Sequence, residues 1–199
     1  VALEAADRAV AGARVAIQGL GNVGLHAARM LAQADAQVFG ADIDPQRVRR
    51  AVDEIDLVAV DLDDVLLADV DVVAPCAGGG VIDERVVAGL RASILVGAAN
   101  NMLSHDALAR DLRERNIIHV PDFVANAGGL LAVEAEIHDA EDGLTERVDA
   151  IADTARDILA RSASTQADTV SVALAMAREV VENKRKHRPY FAYCLLYTS

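Results

Sequence analysis

A glycine-rich turn near the start of the chain constrains the fold more than any other feature. The turn reads Gly19-Leu-Gly-Asn-Val-Gly24 and lies between the apolar run 14–18 and a helical pattern over residues 22–34. In such a unit the first glycine permits a tight turn, the second lets a diphosphate approach the backbone, and the third lets helix and strand pack closely. Free N–H groups at the helix start can bind the phosphate oxygens. Against the alternative of a turn without a ligand, this pattern predicts a dinucleotide site at Gly19, Gly21, Asn22, Val23 and Gly24.

Apolar runs and helical patterns alternate through the first two thirds of the chain. The apolar runs predict six strands, at residues 14–18, 36–41, 57–60, 70–74, 93–96 and 117–120. One of the intervening helices is predicted to begin with Ser104 as its cap and to end at Arg115. The alternation indicates an α/β fold with a doubly wound, mostly parallel sheet of the Rossmann type, followed by C-terminal helices. We expect these last helices, at 130–140, 144–162 and 169–186, to pack on the sheet or against a partner domain.

The composition of the 199 residues excludes several classes of protein. Hydrophobic residues make up 53% and charged residues 25%, which excludes a disordered chain. The net charge of −12 argues against binding to nucleic acid or to an anionic membrane surface. Two cysteines cannot form a disulfide framework, and the apolar runs are too short to cross a membrane. Because the sequence shows no export signal and favours a dinucleotide, we expect a cytoplasmic protein.

An acidic residue follows the second predicted strand, where a dinucleotide site places its ribose ligand. Asp42 lies close to the usual spacing of about 20 residues after the glycine turn. A carboxylate there accepts hydrogen bonds from both ribose hydroxyls and repels a 2′-phosphate, so the sequence favours NAD over NADP. Asp44 is a competitor for this role, but it precedes Pro45 and is better placed to cap a helix. Three nearby arginines could hold a phosphate, and we interpret them as the solvated face of that helix: Arg47, Arg49 and Arg50.

Three loops rich in glycine and asparagine follow the fourth, fifth and sixth predicted strands. They read Pro75-Cys-Ala-Gly-Gly-Gly80, Gly97-Ala-Ala-Asn-Asn101 and Pro121-Asp-Phe-Val-Ala-Asn-Ala-Gly-Gly129. Ligands bind beyond the carboxyl ends of the strands in an open parallel sheet, so we expect these loops near the nicotinamide half of the cofactor. The amides of Asn100 and Asn126 can donate to and accept from a carboxamide, and turn formation is their alternative role.

The chain offers few side chains for catalysis or metal binding. Cys76 has no neighbouring histidine in the sequence, so we interpret it as a small buried thiol rather than a nucleophile. The five histidines lack metal-ligand spacing and are interpreted as structural, so no metal site is predicted. The only lysines are Lys184 and Lys186, in the last predicted helix. Chemistry that needs a buried lysine of lowered pKa is therefore not complete in this chain.

These motifs, in this order, resemble those of the amino-acid dehydrogenase family, which includes the glutamate, leucine, phenylalanine and valine dehydrogenases. The loop with Cys76 and the run Ala98-Ala-Asn-Asn101 resemble the leucine, phenylalanine and valine branch more than the glutamate branch. The resemblance covers residues 1–186 and implies a NAD-binding domain with C-terminal helices. The family usually has a bulky apolar residue where this chain has Gly78, which implies a looser wall near the nicotinamide.

The resemblance also implies an activity, and it implies that the catalytic and cofactor-binding residues lie in different domains. The activity is the reversible, NAD-dependent oxidative deamination of an apolar L-amino acid to a 2-oxo acid and ammonia. Catalytic lysine and aspartate residues of the family lie in a preceding domain, so we predict no catalytic residue in this chain and no turnover by it alone. The full-length protein is expected to be a homo-oligomer. Residues implied around the nicotinamide and the cleft are Ala77, Ala98, Asn100 and Asn126, and those implied in the substrate pocket are Leu130 and Val133.

Both ends of the chain carry expectations of their own. Residues 187–199 are predicted to form a tail outside the domain, since they lack periodicity. The final segment, Cys194-Leu-Leu-Tyr-Thr-Ser199, resembles the translation of an adapter used in sequencing libraries, so part of the tail is interpreted as foreign to the protein. We expect the catalytic domain to lie upstream of Val1.

A nucleotide-sensing regulatory domain of the Rossmann type is the alternative function. Such a domain also combines a glycine-rich turn with an acid after the second strand, but it does not need amide-bearing loops around a nicotinamide. Replacing Asn100 with Ala would therefore leave the affinity of a sensor nearly intact and alter nicotinamide placement in a dehydrogenase. A 2-hydroxy-acid dehydrogenase is a third reading, but that chemistry needs a cleft histidine with a carboxylate partner, which the sequence does not offer.

Overall fold

Six parallel strands form one sheet in the computed structural model, which describes residues 1–138 and 142–187, with side chains as far as residue 183. The strands are β1 (Arg14–Gln18), β2 (Gln37–Ala41), β3 (Val58–Ala59), β4 (Val72–Pro75), β5 (Ile94–Leu95) and β6 (Ile118–His119). Their order across the sheet is β3-β2-β1-β4-β5-β6, and every pairing is parallel. The predicted doubly wound, Rossmann-type sheet is therefore confirmed.

The described residues also form nine α-helices and a short 3-10 helix, Val65–Leu67. The alternating region contains α1 (Ala2–Ala5), α2 (Asn22–Gln33), α3 (Pro45–Ile55), α4 (Glu84–Gly89) and α5 (Leu108–Glu114). The C-terminal region contains α6 (Asp122–Ala125), α7 (Ala127–Ile137), α8 (Leu144–Thr165) and α9 (Thr169–His187). In the described part of the chain, no helix combines the length and the apolar character needed to cross a membrane.

The side chains of β1 divide the core between the two faces of the sheet. Val15 and Ile17 pack with Leu25 of α2 on one face. Ala16, between them in the sequence, packs with Val73 of β4 on the other face. Successive side chains of a strand point to opposite faces, so helices on both sides are needed to cover these apolar residues.

The strand order reverses at β1, and this places a crevice at the carboxyl end of the sheet. The last residue of β1, Gln18, pairs with Ala41 of β2 on one side and with Pro75 of β4 on the other. The chain therefore leaves the neighbouring strands β1 and β4 toward opposite sides of the sheet. Ligands of open α/β sheets bind at such a switch point, so the loops after β1 and β4 are the candidate ligand-binding loops.

The C-terminal helices pack on the β6 end of the sheet, which is one of the two arrangements expected from the sequence. Val120 and Val124, which follow β6, form an apolar cluster with Ile158 of α8 and Val172 of α9. Ile158 is only 1% exposed. These helices therefore pack against the residues after β6 through one shared apolar cluster.

The structure corrects three predicted boundaries. The helix expected from Ser104 begins at Leu108 instead, because the Ser104 N–H donates to the carbonyl of Ile82 in a short extended pairing. Helix α7 begins at Ala127, three residues before the predicted start. Helix α9 includes His187, the first residue of the predicted tail, and residues 188–199 lie outside the described residues.

Candidate cofactor site

The glycine turn after β1 packs directly against the loop after β4. Gly19 has φ +92°, a conformation that strongly favours glycine, and a Cβ added there would lie 2.7 Å from the Cβ of Ala77. A Cβ added to Gly24 would lie 1.9 Å from the carbonyl oxygen of Gly19. The first and third glycines of the turn are therefore required by close packing, as the sequence predicted.

The second glycine of the turn faces open space. The one described atom within 4 Å of a Cβ added to Gly21 would be Nη1 of Arg47, at 3.7 Å. Gly21 is also the N-cap of α2, and no described side chain caps the helix start. The N–H groups of the first turn, which belong to Asn22, Val23 and Gly24, are thus left without intrahelical partners beside an open surface. This arrangement fits a diphosphate, which such N–H groups bind.

Asp42 follows β2 and is held in place by two backbone N–H groups. Leu20 donates to its Oδ2 at 2.7 Å, and Asp44 donates to its Oδ1 at 2.8 Å. Burial raises the pKa of this carboxyl, but the hydrogen bonds from Asp44 and Leu20 and the Arg47 charge outweigh that effect, so the pKa lies below its ordinary value. Asp42 is therefore a fixed anion beside the glycine turn at neutral pH.

The residues after Asp42 confirm one sequence interpretation and revise another. Asp44 accepts from the N–H of Gln46 at 2.8 Å and caps α3, with Pro45 in its first turn, as predicted. Arg50 pairs with Glu54 on the solvated side of α3, also as interpreted. Arg47 differs, because its Nη1 lies 3.5 Å from Asp42 Oδ2 and faces the site.

The loops after β4 and β5 are bound to each other through their backbones. The Ala99 N–H donates to the Pro75 carbonyl at 3.0 Å, and the Gly80 N–H donates to the Asn101 carbonyl at 2.7 Å. A Cβ added to Gly79 would lie 2.6 Å from the Asn100 carbonyl oxygen. The glycines of the first loop thus allow the second loop to approach closely.

The loops after β5 and β6 are joined through side chains. The Asn126 amide donates to the Asn100 side-chain oxygen at 2.6 Å, so the two predicted amides lie side by side. The Asp122 carboxylate accepts from the Asn101 N–H at 2.5 Å. Sequence reasoning did not single out Asp122, although an acid directly after Pro121 at a helix start is a recognisable signal.

Ala77, Ala98 and Cys76 complete this edge of the sheet. Ala77 is exposed, Ala98 is half-buried, and both lie in the loops just described. Burial raises the pKa of the Cys76 thiol, and the backbone N–H of Ala98 offsets only part of that rise. A thiol with a raised pKa is a poor nucleophile, which agrees with the structural interpretation of Cys76.

The two predicted pocket residues lie on one uncovered stripe of α7. Leu130 is 74% exposed and Val133 is 53% exposed, and Ile137, one turn further along, is 70% exposed. Their spacing of three and four residues places them on the same helix face. The stripe is defined here as Leu130, Val133 and Ile137.

Among the described side chains, the histidines join no group that could hold a metal ion. His119 is 2% exposed, and its Nδ1 lies 3.0 Å from the Thr169 hydroxyl, while its Nε2 has no hydrogen-bond partner among the described residues. Burial lowers the pKa of His119 to about 4. His105 falls within the helix predicted from Ser104, but it lies before the observed start of α5, and its Nε2 contacts Glu84 at 2.9 Å. Within residues 1–138 and 142–183, no cluster of three His, Cys, Asp or Glu side chains could hold a metal ion.

The strand order, the glycine turn at the switch point and the acid after β2 define a Rossmann-type domain. The model of a protein family described as "Glutamate/Leucine/Phenylalanine/Valine dehydrogenase" matches residues 41–188. The chain belongs to this family.

Individual relatives agree with the family model. The chain is 36% identical to a leucine dehydrogenase of Bacillus subtilis over 185 residues, which is 90% of this chain and 50% of the relative. It is 34% identical to a leucine dehydrogenase of Geobacillus stearothermophilus over 178 residues, which is 89% of this chain and 48% of the relative. The crystal structure of L-tryptophan dehydrogenase from Nostoc punctiforme superposes with a TM-score of 0.88 at 34% identity, and the match covers 92% of this chain and 56% of that one. The chain therefore spans about half the length of the curated relatives it matches.

Proposed function

We propose that this chain is the NAD-binding part of an amino-acid dehydrogenase that converts an apolar L-amino acid reversibly to a 2-oxo acid and ammonia. One observation carries the proposal: the open surface at Gly21 lies between uncapped helix N–H groups and the fixed anion Asp42. Membership of the dehydrogenase family supports the reaction class. The apolar substrate is inferred from the leucine dehydrogenase relatives and from the aliphatic stripe of α7.

The adenosine half of the cofactor would be held by backbone and carboxylate groups. The N–H groups of Asn22, Val23 and Gly24 would bind the diphosphate, with Gly19 and Gly21 keeping the turn tight and open. Asp42 would accept hydrogen bonds from the ribose hydroxyls through lone pairs that its two backbone donors leave free. The charge of Asp42 at neutral pH suits this role, because a carboxylate accepts stronger hydrogen bonds than a neutral acid.

The nicotinamide half would meet the three joined loops. Ala77 and Ala98 would form the small-residue wall there, and Asn100 and Asn126 would present amide groups for polar contact. NAD, when bound, supplies the acceptor for the hydride that leaves the amino acid. The loops of this chain would position that acceptor, and Leu130 and Val133 would contact the apolar side chain of the substrate.

The proton-transfer chemistry is assigned to sequence outside this chain. Both lysines of the chain lie in α9, away from the glycine turn in sequence. We therefore infer that a preceding domain supplies the catalytic lysine and aspartate, and that residues 1–186 act as the NAD-binding domain. Assembly of the full-length protein into a homo-oligomer belongs to the same proposal, and a cytoplasmic location stays a prediction.

Titration of the purified chain with NAD by calorimetry tests the proposal. We expect NAD to bind, and we expect no turnover with leucine, phenylalanine or valine. In the variant Gly21→Ala the new methyl group occupies the surface that the diphosphate needs, so NAD affinity should fall at least about tenfold, or about 1.4 kcal/mol. The fold should persist, since the backbone at Gly21 has φ −72° and the nearest described atom belongs to the flexible Arg47.

Thr154→Ala is the control, because it changes an exposed residue of α8, a helix to which the proposal gives no part in binding. It should leave NAD affinity within twofold of the original. Absence of NAD binding by a folded sample would overturn the proposed function. Turnover by this chain alone would overturn the assignment of catalysis to another domain.

A further inference from the structure

Arg47 joins the acid and the glycine turn, and the function proposed above gives it no role. Its Nη1 lies 3.5 Å from Asp42 Oδ2 and would lie 3.7 Å from a Cβ on Gly21. Its Nε lies 3.8 Å from Asp44 Oδ2. The guanidinium therefore lies at the place where the adenosine ribose and the diphosphate would meet.

Arg47 is distinguished from the other arginines of α3 by what it faces. Arg50 is engaged with Glu54 through a hydrogen bond of 2.7 Å. Arg49 is exposed and forms no ion pair within the described part of the chain. Of the three, Arg47 is the one within 4 Å of Asp42, so a negative group near the 2′ position of the ribose would meet this cation first.

The charge of Asp42 is a weaker barrier to such a group than the sequence alone implies. Both carboxylate oxygens already accept a backbone N–H, and the side chain is 4% exposed. A neighbouring cation within 4 Å offsets the negative charge that would repel a phosphate. Asp42 can thus serve an unphosphorylated ribose without excluding a phosphorylated one.

Arg47 has the freedom and the donors to bind a phosphate. Its side chain is 52% exposed, and its contacts with Asp42 and Asp44 are longer than hydrogen bonds. The pair with Asp44 is exposed on both sides and contributes little free energy, so the guanidinium can readily exchange this contact for another anion. A guanidinium carries five donors and binds phosphate in a bidentate manner.

We propose that this site binds a nicotinamide dinucleotide with a 2′-phosphate as well as one without it, and that Arg47 holds the phosphate. The inference rests on the proposed dinucleotide function. It revises the sequence-based preference for NAD alone, because Arg47 faces Asp42 instead of lying wholly on the solvated face of α3.

The test compares two small probes that differ by a single phosphate, adenosine 5′-monophosphate and adenosine 2′,5′-bisphosphate. Calorimetric titrations of the chain with both probes, and with NAD and NADP, give the affinities directly. We expect NADP to bind within about tenfold of NAD. Arg47→Ala and Arg47→Gln should weaken the bisphosphate and NADP about tenfold or more, while the monophosphate and NAD change less than about twofold.

Arg49→Ala is the control for the general loss of a positive charge from α3, and it should leave all four affinities within about twofold. The proposal is overturned if NAD binds but NADP does not. That outcome would leave the proposed function intact. It is also overturned if Arg47→Ala weakens both probes equally, or if Arg49→Ala has the same effect as Arg47→Ala. Failure of NAD itself to bind would overturn the proposed function and this inference together.

Discussion

Neighbouring glycines in the loop after β4 have opposite structural requirements. A Cβ added to Gly78 would meet no described atom within 4 Å, and its φ lies outside the left-handed region. A Cβ added to Gly79 would lie 2.6 Å from the carbonyl oxygen of Asn100. The wall that the family resemblance described as loose at Gly78 is therefore open in the structure, whereas the next residue is tightly packed.

This contrast predicts opposite effects of the same substitution on stability. Gly78→Ala should raise the free energy of unfolding by about 0.5 kcal/mol, because it restricts the unfolded chain without a clash. Gly79→Ala should lower it by about 1 kcal/mol or more, because the loop after β5 must move. Urea denaturation followed by circular dichroism measures both. Equal effects of the two substitutions would show that the loop packing described here is wrong.

His119 makes the stability of the domain depend on pH. The histidine is neutral when buried, with a pKa of about 4 against 6.5 for a free side chain, since burial disfavours its charged form and nearby Asp168 offsets this only in part. The unfolded chain therefore binds a proton between pH 6.5 and 4 that the folded chain does not. Stability is fully present above pH 6.5 and is lost as the pH falls toward 4.

Between pH 7.5 and pH 5 this effect should lower the free energy of unfolding by about 2 kcal/mol. Urea denaturation at the two pH values measures the loss. His119→Gln should reduce the pH dependence, whatever its own stability, whereas His26→Gln, which changes an exposed histidine of α2, should leave it unchanged. An equal loss in the original chain and in His119→Gln would contradict the burial of this group.

At the scale of elements, the joined loops at the carboxyl edge lead to a prediction of energetic coupling. Asn100 and Asn126 belong to different loops and share a hydrogen bond of 2.6 Å. A double-mutant cycle with Asn100→Ala and Asn126→Ala should give a coupling of about 0.5–1 kcal/mol in the free energy of unfolding. Asn100→Ala combined with His26→Gln, which changes an exposed residue of α2, should give a coupling near zero. Strict additivity for the asparagine pair would show that their bond contributes nothing.

The elements also show how far sequence patterns reach. All six strands were predicted within a few residues, because short apolar runs bounded by Pro, Gly or Asp are typical of the strands of a parallel sheet. The start of α7 was missed because glycine disfavours helices, yet Gly128 and Gly129 both lie in its first turn. Gly128 lies close to α8, since a Cβ added there would be 3.9 Å from Ile151, and such tertiary contacts override the low helix propensity of glycine.

In the candidate site, too, some side chains could be predicted from the sequence and others depend on the folded structure. The turn glycines, Asp42 and the paired asparagines could be located from strand ends, because the carboxyl edge of a parallel sheet gathers its loops. The orientation of Arg47 could not, since three arginines in four residues give no indication of which one turns inward. Contacts between loops, such as that of Asp122 with Asn101, also depend on distances that only the folded chain provides.

At the scale of the whole molecule, cofactor binding should stabilise the entire domain. The glycine turn contacts both β1 and the loop after β4, and the C-terminal helices pack on the same sheet. NAD at 100 times its dissociation constant should add about 2.7 kcal/mol to the free energy of unfolding. For a chain of this length that corresponds to a rise of roughly 5–10 °C in Tm.

Differential scanning calorimetry with and without NAD measures this rise, and we expect one transition in both scans. Gly21→Ala should melt at the temperature of the original chain without NAD and should respond much less to it. Two transitions, of which only one shifts with NAD, would show that α8 and α9 unfold separately from the sheet.

The stripe of α7 has a practical consequence for the laboratory. The three aliphatic side chains of the stripe lie on one face of the helix and are 53% to 74% exposed to solvent. Burial of such apolar surface between two molecules lowers the free energy, so the protein should associate through this stripe. Purified samples should therefore turn cloudy as they are concentrated. A low concentration of a mild detergent, or the substitution Leu130→Ser or Ile137→Ser, should keep such samples clear for calorimetry.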